Sequence, residues 1–196
     1  LDLLTFLVTV VLVSLSGVMA PGPLFAATLA EGRKNPLSGF IVSTGHAVVE
    51  IPLILILYSF GLSLNYIERR FLAVVGGMVM LYLAYLELKS EESQYKGGSL
   101  FAGAVMTALN PYFIMWWLTV GLTLITKSIE FGILGLVLFI IVHEMCDYVW
   151  LGSVSIFSGK IAEYGKKLTN VLKAISFSML LFFGIVFIYS GFVGNV

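Results

Sequence analysis

Apolar residues along this chain gather into six long runs, at positions 3–29, 39–62, 71–88, 100–126, 131–157 and 171–193, with polar connectors between them. A helix rises about 1.5 Å per residue, so each run is long enough to cross a hydrocarbon core about 30 Å thick. None shows the strict alternation of a barrel strand, and lipid offers no hydrogen-bond partners, so each run is expected to satisfy its own backbone as a helix. Most connectors are short, such as Glu31-Gly32-Arg33-Lys34-Asn35 and Glu68-Arg69-Arg70, while the longest charged one, 88–99, falls near the middle and holds Gly97 and Gly98. The pattern therefore predicts an all-α, polytopic, single membrane domain of six transmembrane helices. Residues 1–87 and 100–196 form two three-helix repeats joined by the polar connector 88–99. An odd number of helices in each half gives the repeats inverted topology.

Composition supports this reading. Of 196 residues, 59% are hydrophobic and 11% charged, and the mean hydropathy is +1.03; a soluble domain carries about 25% charged residues. Eleven basic and eleven acidic residues give zero formal net charge, which argues against a nucleic-acid partner and leaves the lipid bilayer as the expected surroundings. The first run lacks a basic leader and an A-x-A cleavage site and outruns a signal-peptide core, so it is expected to be a retained span. The connectors after the first, third and fifth runs hold Arg33, Lys34, Lys89, Lys96, Lys160, Lys166, Lys167 and Lys173, and the opposite side only Arg69, Arg70 and Lys127. Because basic residues stay on the cytoplasmic side, both termini are expected outside a cell membrane.

Polar residues inside the runs change the picture from packing to chemistry. Ala20-Pro21-Gly22-Pro23 interrupts the first run, and Asn110-Pro111 interrupts the fourth, which opens the second half. Each proline removes a backbone donor and disfavours helix before it, so both helices must break or kink. Broken helices at matching places in two halves point to a translocation site at the repeat interface. The middle run of the first half carries His46 and Glu50, and that of the second half His143, Glu144 and Asp147. His-x-x-x-Glu and His-x-x-x-Asp each put an imidazole and a carboxylate one turn apart on one helix face. Ionisable groups at membrane depth cost about 2.5 kcal/mol or more each and normally face a pathway; a purely structural interhelical bond is the competing account. Glu144 adjoins His143 and so faces another direction; the pattern assigns it no role. The expected pathway residues are Pro21, Gly22, Pro23, His46, Glu50, Asn110, Pro111, His143 and Asp147.

Enzyme chemistry finds little support. His143-Glu144-Met145-Cys146-Asp147 departs from the zinc-protease pattern H-E-x-x-H at its last position and lacks a clear third ligand set. The lone Cys146 cannot form an internal disulfide or a thiol relay. No cofactor is expected. Close helix approach accounts for the glycines scattered through the runs, and Trp116-Trp117 fit an interfacial belt or a pore lining equally well.

With Ala20-Pro21-Gly22-Pro23, a glycine-containing second run and Asn110-Pro111, the whole chain resembles the LysE/RhtB superfamily of amino-acid exporters. That resemblance implies a secondary exporter of amino acids or similar metabolites that works as a homodimer without ATP. The chain departs from the pattern at Gly45-His46 and in placing Tyr112 after Asn110-Pro111. His46, Glu50, His143 and Asp147 also form a ligand set suited to a divalent cation, which makes a divalent-cation exporter the alternative within the same class. A membrane-embedded enzyme or a scaffold is the alternative from another class.

Overall fold

The computed structural model describes residues 2–20, 22–62, 64–89 and 98–194. Pro21 and most of the 88–99 connector lie outside the described residues. Every element described is helical: α1 (Leu3–Val18), α2 (Pro23–Gly32), α3 (Ser38–Leu62), α4 (Tyr66–Lys89), α5 (Ser99–Ala108), α6 (Pro111–Trp116), a π turn (Trp117–Gly121), α7 (Leu122–Ser128), a 3-10 turn (Ile129–Phe131), α8 (Gly132–Ile156) and α9 (Ser158–Val193). Ser38–Leu62 and the helical stretch Tyr112–Ile156, which turns at Gly132, are each long and apolar enough to cross a membrane, with mean hydropathies of 2.0 and 2.1. Leu3–Val18 and Pro23–Gly32 make up a third such unit when taken together, bent by 79°.

Local chemistry sets several of these ends. Asp2 caps α1 by accepting from the Thr5 backbone N–H at 2.9 Å and from its hydroxyl at 2.7 Å; those bonds hold the Asp2 carboxyl below its ordinary range. Pro23 and Pro111 each open a helix, where the missing N–H costs nothing. Gly132, at φ 61°, stops the stretch that begins at α6 and turns the chain back into α8, a conformation that favours glycine. Gly165, at φ 46°, breaks α9 near its start, so the element is longer than the 171–193 run but not one straight helix.

Close contacts give the helix directions. Phe6 stacks near Phe131 and Phe139, with ring centroids 5.4 and 6.5 Å away, and Gly32 lies against Ser155, so α1 and α2 run alongside α8 in the same direction. On α3, Gly39 faces Leu151 and Ser155 of α8, Gly45 faces Leu100, Gly103 and Ala104 of α5, and Gly61 faces Ile125 and Thr126 of α7. Hence α3 is antiparallel to α8 and parallel to the α5–α7 stretch. On the far side α4 and α9 are antiparallel: Gly77 meets Gly184, and the Tyr66 hydroxyl donates to the Gly194 carbonyl at 2.7 Å. The approach of α3 to α5 depends on two glycines, since a Cβ on Gly45 would collide with the Leu100 carbonyl and one on Gly103 with the Val42 carbonyl.

The packing interlocks the two halves of the chain. Of the first half, α3 lies on α5 and α7 of the second, and α8 of the second lies on α1 and α2. The bundle interior on the side of the α1 start is a dry cluster that includes Phe6, Val10, Ile54, Leu57, Trp117, Leu124 and Phe139. The outward faces carry Leu4, Val48, Ile56, Val149, Phe182 and Ile185, all more than half exposed. An apolar exterior of this extent suits lipid rather than water.

Candidate functional site

Below the dry cluster the helices part around a cavity of about 280 Å³. Small residues of the first broken helix, Gly17, Ala20 and Gly22, open it on one side, and Asn110 and Tyr112 of the second break border it on another. At its wall stand His46, Glu50, His143 and Asp147. Each is at least 95% buried.

One helical turn separates each histidine from its carboxylate, as the spacing predicts, but the crossing of α3 and α8 merges the two pairs into a single cluster. His46 Nε2 lies 3.0 Å from Glu50 Oε1 and 3.5 Å from Asp147 Oδ1. His143 Nε2 lies 3.4 Å from the same Glu50 oxygen and 3.7 Å from Asp147 Oδ2. Each imidazole thus faces carboxylates from both halves. Glu50 Oε1 also accepts from Trp117 Nε1 at 2.9 Å. The π turn begins at Trp117, and the extra residue it inserts rotates the following turn, a distortion common at functional positions.

Two hydroxyls that sequence reasoning missed complete the arrangement. Thr107 Oγ1, on α5, sits 2.6 Å from His46 Nδ1, and Ser14 Oγ, on α1, sits 2.7 Å from His143 Nδ1. In both cases the hydroxyl comes from the half that does not own the histidine. Nothing in an apolar run marks one serine or threonine among several as a histidine partner. The Thr107 hydroxyl donates to the Gly103 carbonyl at 2.6 Å, so its oxygen accepts from the ring and His46 Nδ1 carries a proton.

The two helix breaks differ. Asn110 caps α6, its side chain accepting from the Tyr112 backbone N–H at 3.0 Å. Gly22 precedes α2 in an extended conformation with no side-chain cap, and Pro23, Leu24 and Phe25 of that helix line the cavity. Trp116 Nε1 is buried at the cavity wall without a hydrogen bond, as are Glu50 Oε2 and Asp147 Oδ2. Glu144 is buried too, with neither carboxylate oxygen hydrogen-bonded, and it is not among the residues lining the cavity. Tyr148 bonds to Thr44 on α3 at 3.0 Å, and Tyr58 packs against the dry cluster. Cys146 donates to the Val142 carbonyl of its own helix at 3.2 Å.

An all-helical, lipid-facing bundle with ionisable groups gathered around an internal cavity has the features of a membrane transport protein. Residues 15–191 match the family model described as LysE type translocator. The chain belongs to that family, whose members are membrane transporters and not enzymes. Comparison with curated proteins gives no significant match, and neither does comparison with solved structures.

Proposed function

We propose that this protein is a secondary-active exporter of amino acids or related small metabolites across the cell membrane, coupled to proton movement and using the central cavity as its translocation site. The observation that carries the reading is the merging of His46, Glu50, His143 and Asp147, from two distant stretches of sequence, into one buried cluster at the cavity wall. Charged groups are too costly at that depth to be incidental. The cavity, at about 280 Å³, is just below the usual range of about 300–1,000 Å³ for small-molecule sites, which suits a single small metabolite.

In this reading Glu50 and Asp147 receive the substrate's ammonium group or a coupling proton. The uncapped start of α2 and the Trp116 indole N–H supply donors for its carboxylate. Two three-helix repeats of inverted topology, six spans in all with both termini outside, are part of the same proposal; the matched packing of α3 on α5 and of α8 on α1 supports it. The interlocked halves argue for alternating access through hinges at Gly22–Pro23 and Asn110–Pro111 rather than rigid rocking of one half. The homodimer implied by the family resemblance is retained as a proposal.

Counterflow in proteoliposomes tests the reading, with a panel of amino acids and divalent cations, with and without a proton gradient. Accelerated exchange of one or more amino acids is expected, with net efflux driven by the gradient. Failure of every amino acid to exchange would sink it.

A further inference from the structure

We propose that the cluster at the cavity wall is a binding site for one divalent transition-metal ion, held by His46 Nε2, Glu50 and Asp147 with His143 in reach as a further ligand. The proposal rests on reading the cavity as the translocation site only for its place in a transport cycle; binding itself stands on the geometry. Two ligand atoms about 2.0–2.1 Å from an ion at the tetrahedral angle lie about 3.3–3.4 Å from each other. The four imidazole-to-carboxylate separations, 3.0, 3.5, 3.4 and 3.7 Å, bracket that edge. One donor atom each from His46, Glu50 and Asp147 already falls within 4.8 Å of the other two, so little movement is needed to close them on an ion.

The surroundings of the cluster point the same way. A ligating imidazole normally gives its other N–H to a fixed acceptor, which sets the tautomer and aims the lone pair. Thr107 does this for His46: with the Thr107 proton committed to Gly103, Nδ1–H is the donor and Nε2 is turned toward the two carboxylates. Ser14 Oγ stands 2.7 Å from His143 Nδ1, and Trp117 Nε1 donates to Glu50. Glu50 Oε2 and Asp147 Oδ2 are buried without a hydrogen bond. Among the described residues no lysine or arginine lines the cavity, so only the two imidazoles stand against the two carboxylates.

The donor set also selects the ion. Two imidazoles and two carboxylates without a thiolate suit zinc, cobalt(II) or nickel(II), whereas magnesium and calcium take oxygen ligands. The one thiol in the chain, that of Cys146, is bonded to its own helix backbone.

The test is titration of the purified, metal-free full-length protein with cobalt(II), read by visible absorption, followed by competition with zinc and magnesium. The expected result is one cobalt per chain with the intense bands of a tetrahedral nitrogen and oxygen site, displaced by zinc and not by magnesium. His46→Ala and Asp147→Ala should each weaken binding more than about 100-fold. Thr107→Ala should weaken it about 10-fold, the size of an outer-shell effect, and Thr107→Ser should restore it. Retained helix content by circular dichroism excludes misfolding as the cause. Absence of the bands in the unaltered protein, or undiminished binding in well-folded His46→Ala and Asp147→Ala, overturns the proposal. Amino-acid counterflow in the same preparation keeps the two readings apart. Metal binding without counterflow would remove the amino-acid reading alone, and counterflow without metal binding would remove this one alone.

Discussion

The two proline breaks share a sequence device and differ in what surrounds it. At Asn110–Pro111 the asparagine side chain caps the new helix, and the chain continues through a π turn that delivers Trp117 to Glu50. At Gly22–Pro23 there is no side-chain cap, the two helix segments are bent by 79°, and the start of α2 lines the cavity. A capped break holds its helix start in place, whereas an uncapped one leaves backbone donors for something else. The comparison teaches that the same proline device gives the cavity a capped helix start at α6 and unclaimed backbone donors at α2.

The largest expected effect lies where the two halves meet. Glu50→Ala removes the acceptor shared by His46, His143 and Trp117, and loss of one partner from a buried charged cluster costs about 3–5 kcal/mol. Thermal denaturation in detergent should show a large fall in Tm. An unchanged Tm would mean the cluster contributes nothing to holding the halves together.

Next comes the α3–α5 crossing. Gly103→Leu places a side chain against the Val42 carbonyl and should destabilise the bundle by about 1–3 kcal/mol, the usual scale of overpacking. The same melt, or loss of monodisperse protein on size exclusion, reads the effect. Thr107→Val then leaves His46 Nδ1–H without an acceptor, at a cost of about 1–3 kcal/mol, and Thr107→Ser should recover most of it. The smallest effects compare the breaks directly. Asn110→Ala should cost about 1 kcal/mol through the lost cap. Gly22→Ala should be nearly silent in the melt, because its backbone is extended and a Cβ there meets nothing nearer than the Ala20 carbonyl at 4.0 Å. Equal effects at the two sites would erase the distinction between them.

Much of this organisation can be read from the sequence because it depends on local spacing. His46 with Glu50 and His143 with Asp147 each lie one turn apart, and that periodicity survives any tertiary arrangement. Prolines announce their breaks for the same reason, through the backbone they disallow. What escapes is the pairing across helices. Thr107 and Ser14 look like other hydroxyl residues of the apolar runs, such as Thr28 and Ser16, until α5 and α1 are placed beside the histidines. Trp117 resembles an interfacial aromatic until the π turn brings it to Glu50. The interlocking of α3 with α5 and of α8 with α1 lies in tertiary contacts between residues such as Gly45 and Gly103, far apart along the chain.

The most direct test of the cluster as translocation site is gradient-driven efflux from proteoliposomes carrying the unaltered protein, Glu50→Gln or Asp147→Asn, with protein amount and fold matched. The account predicts that each substitution abolishes efflux driven by a proton gradient. Efflux left intact in both would contradict it.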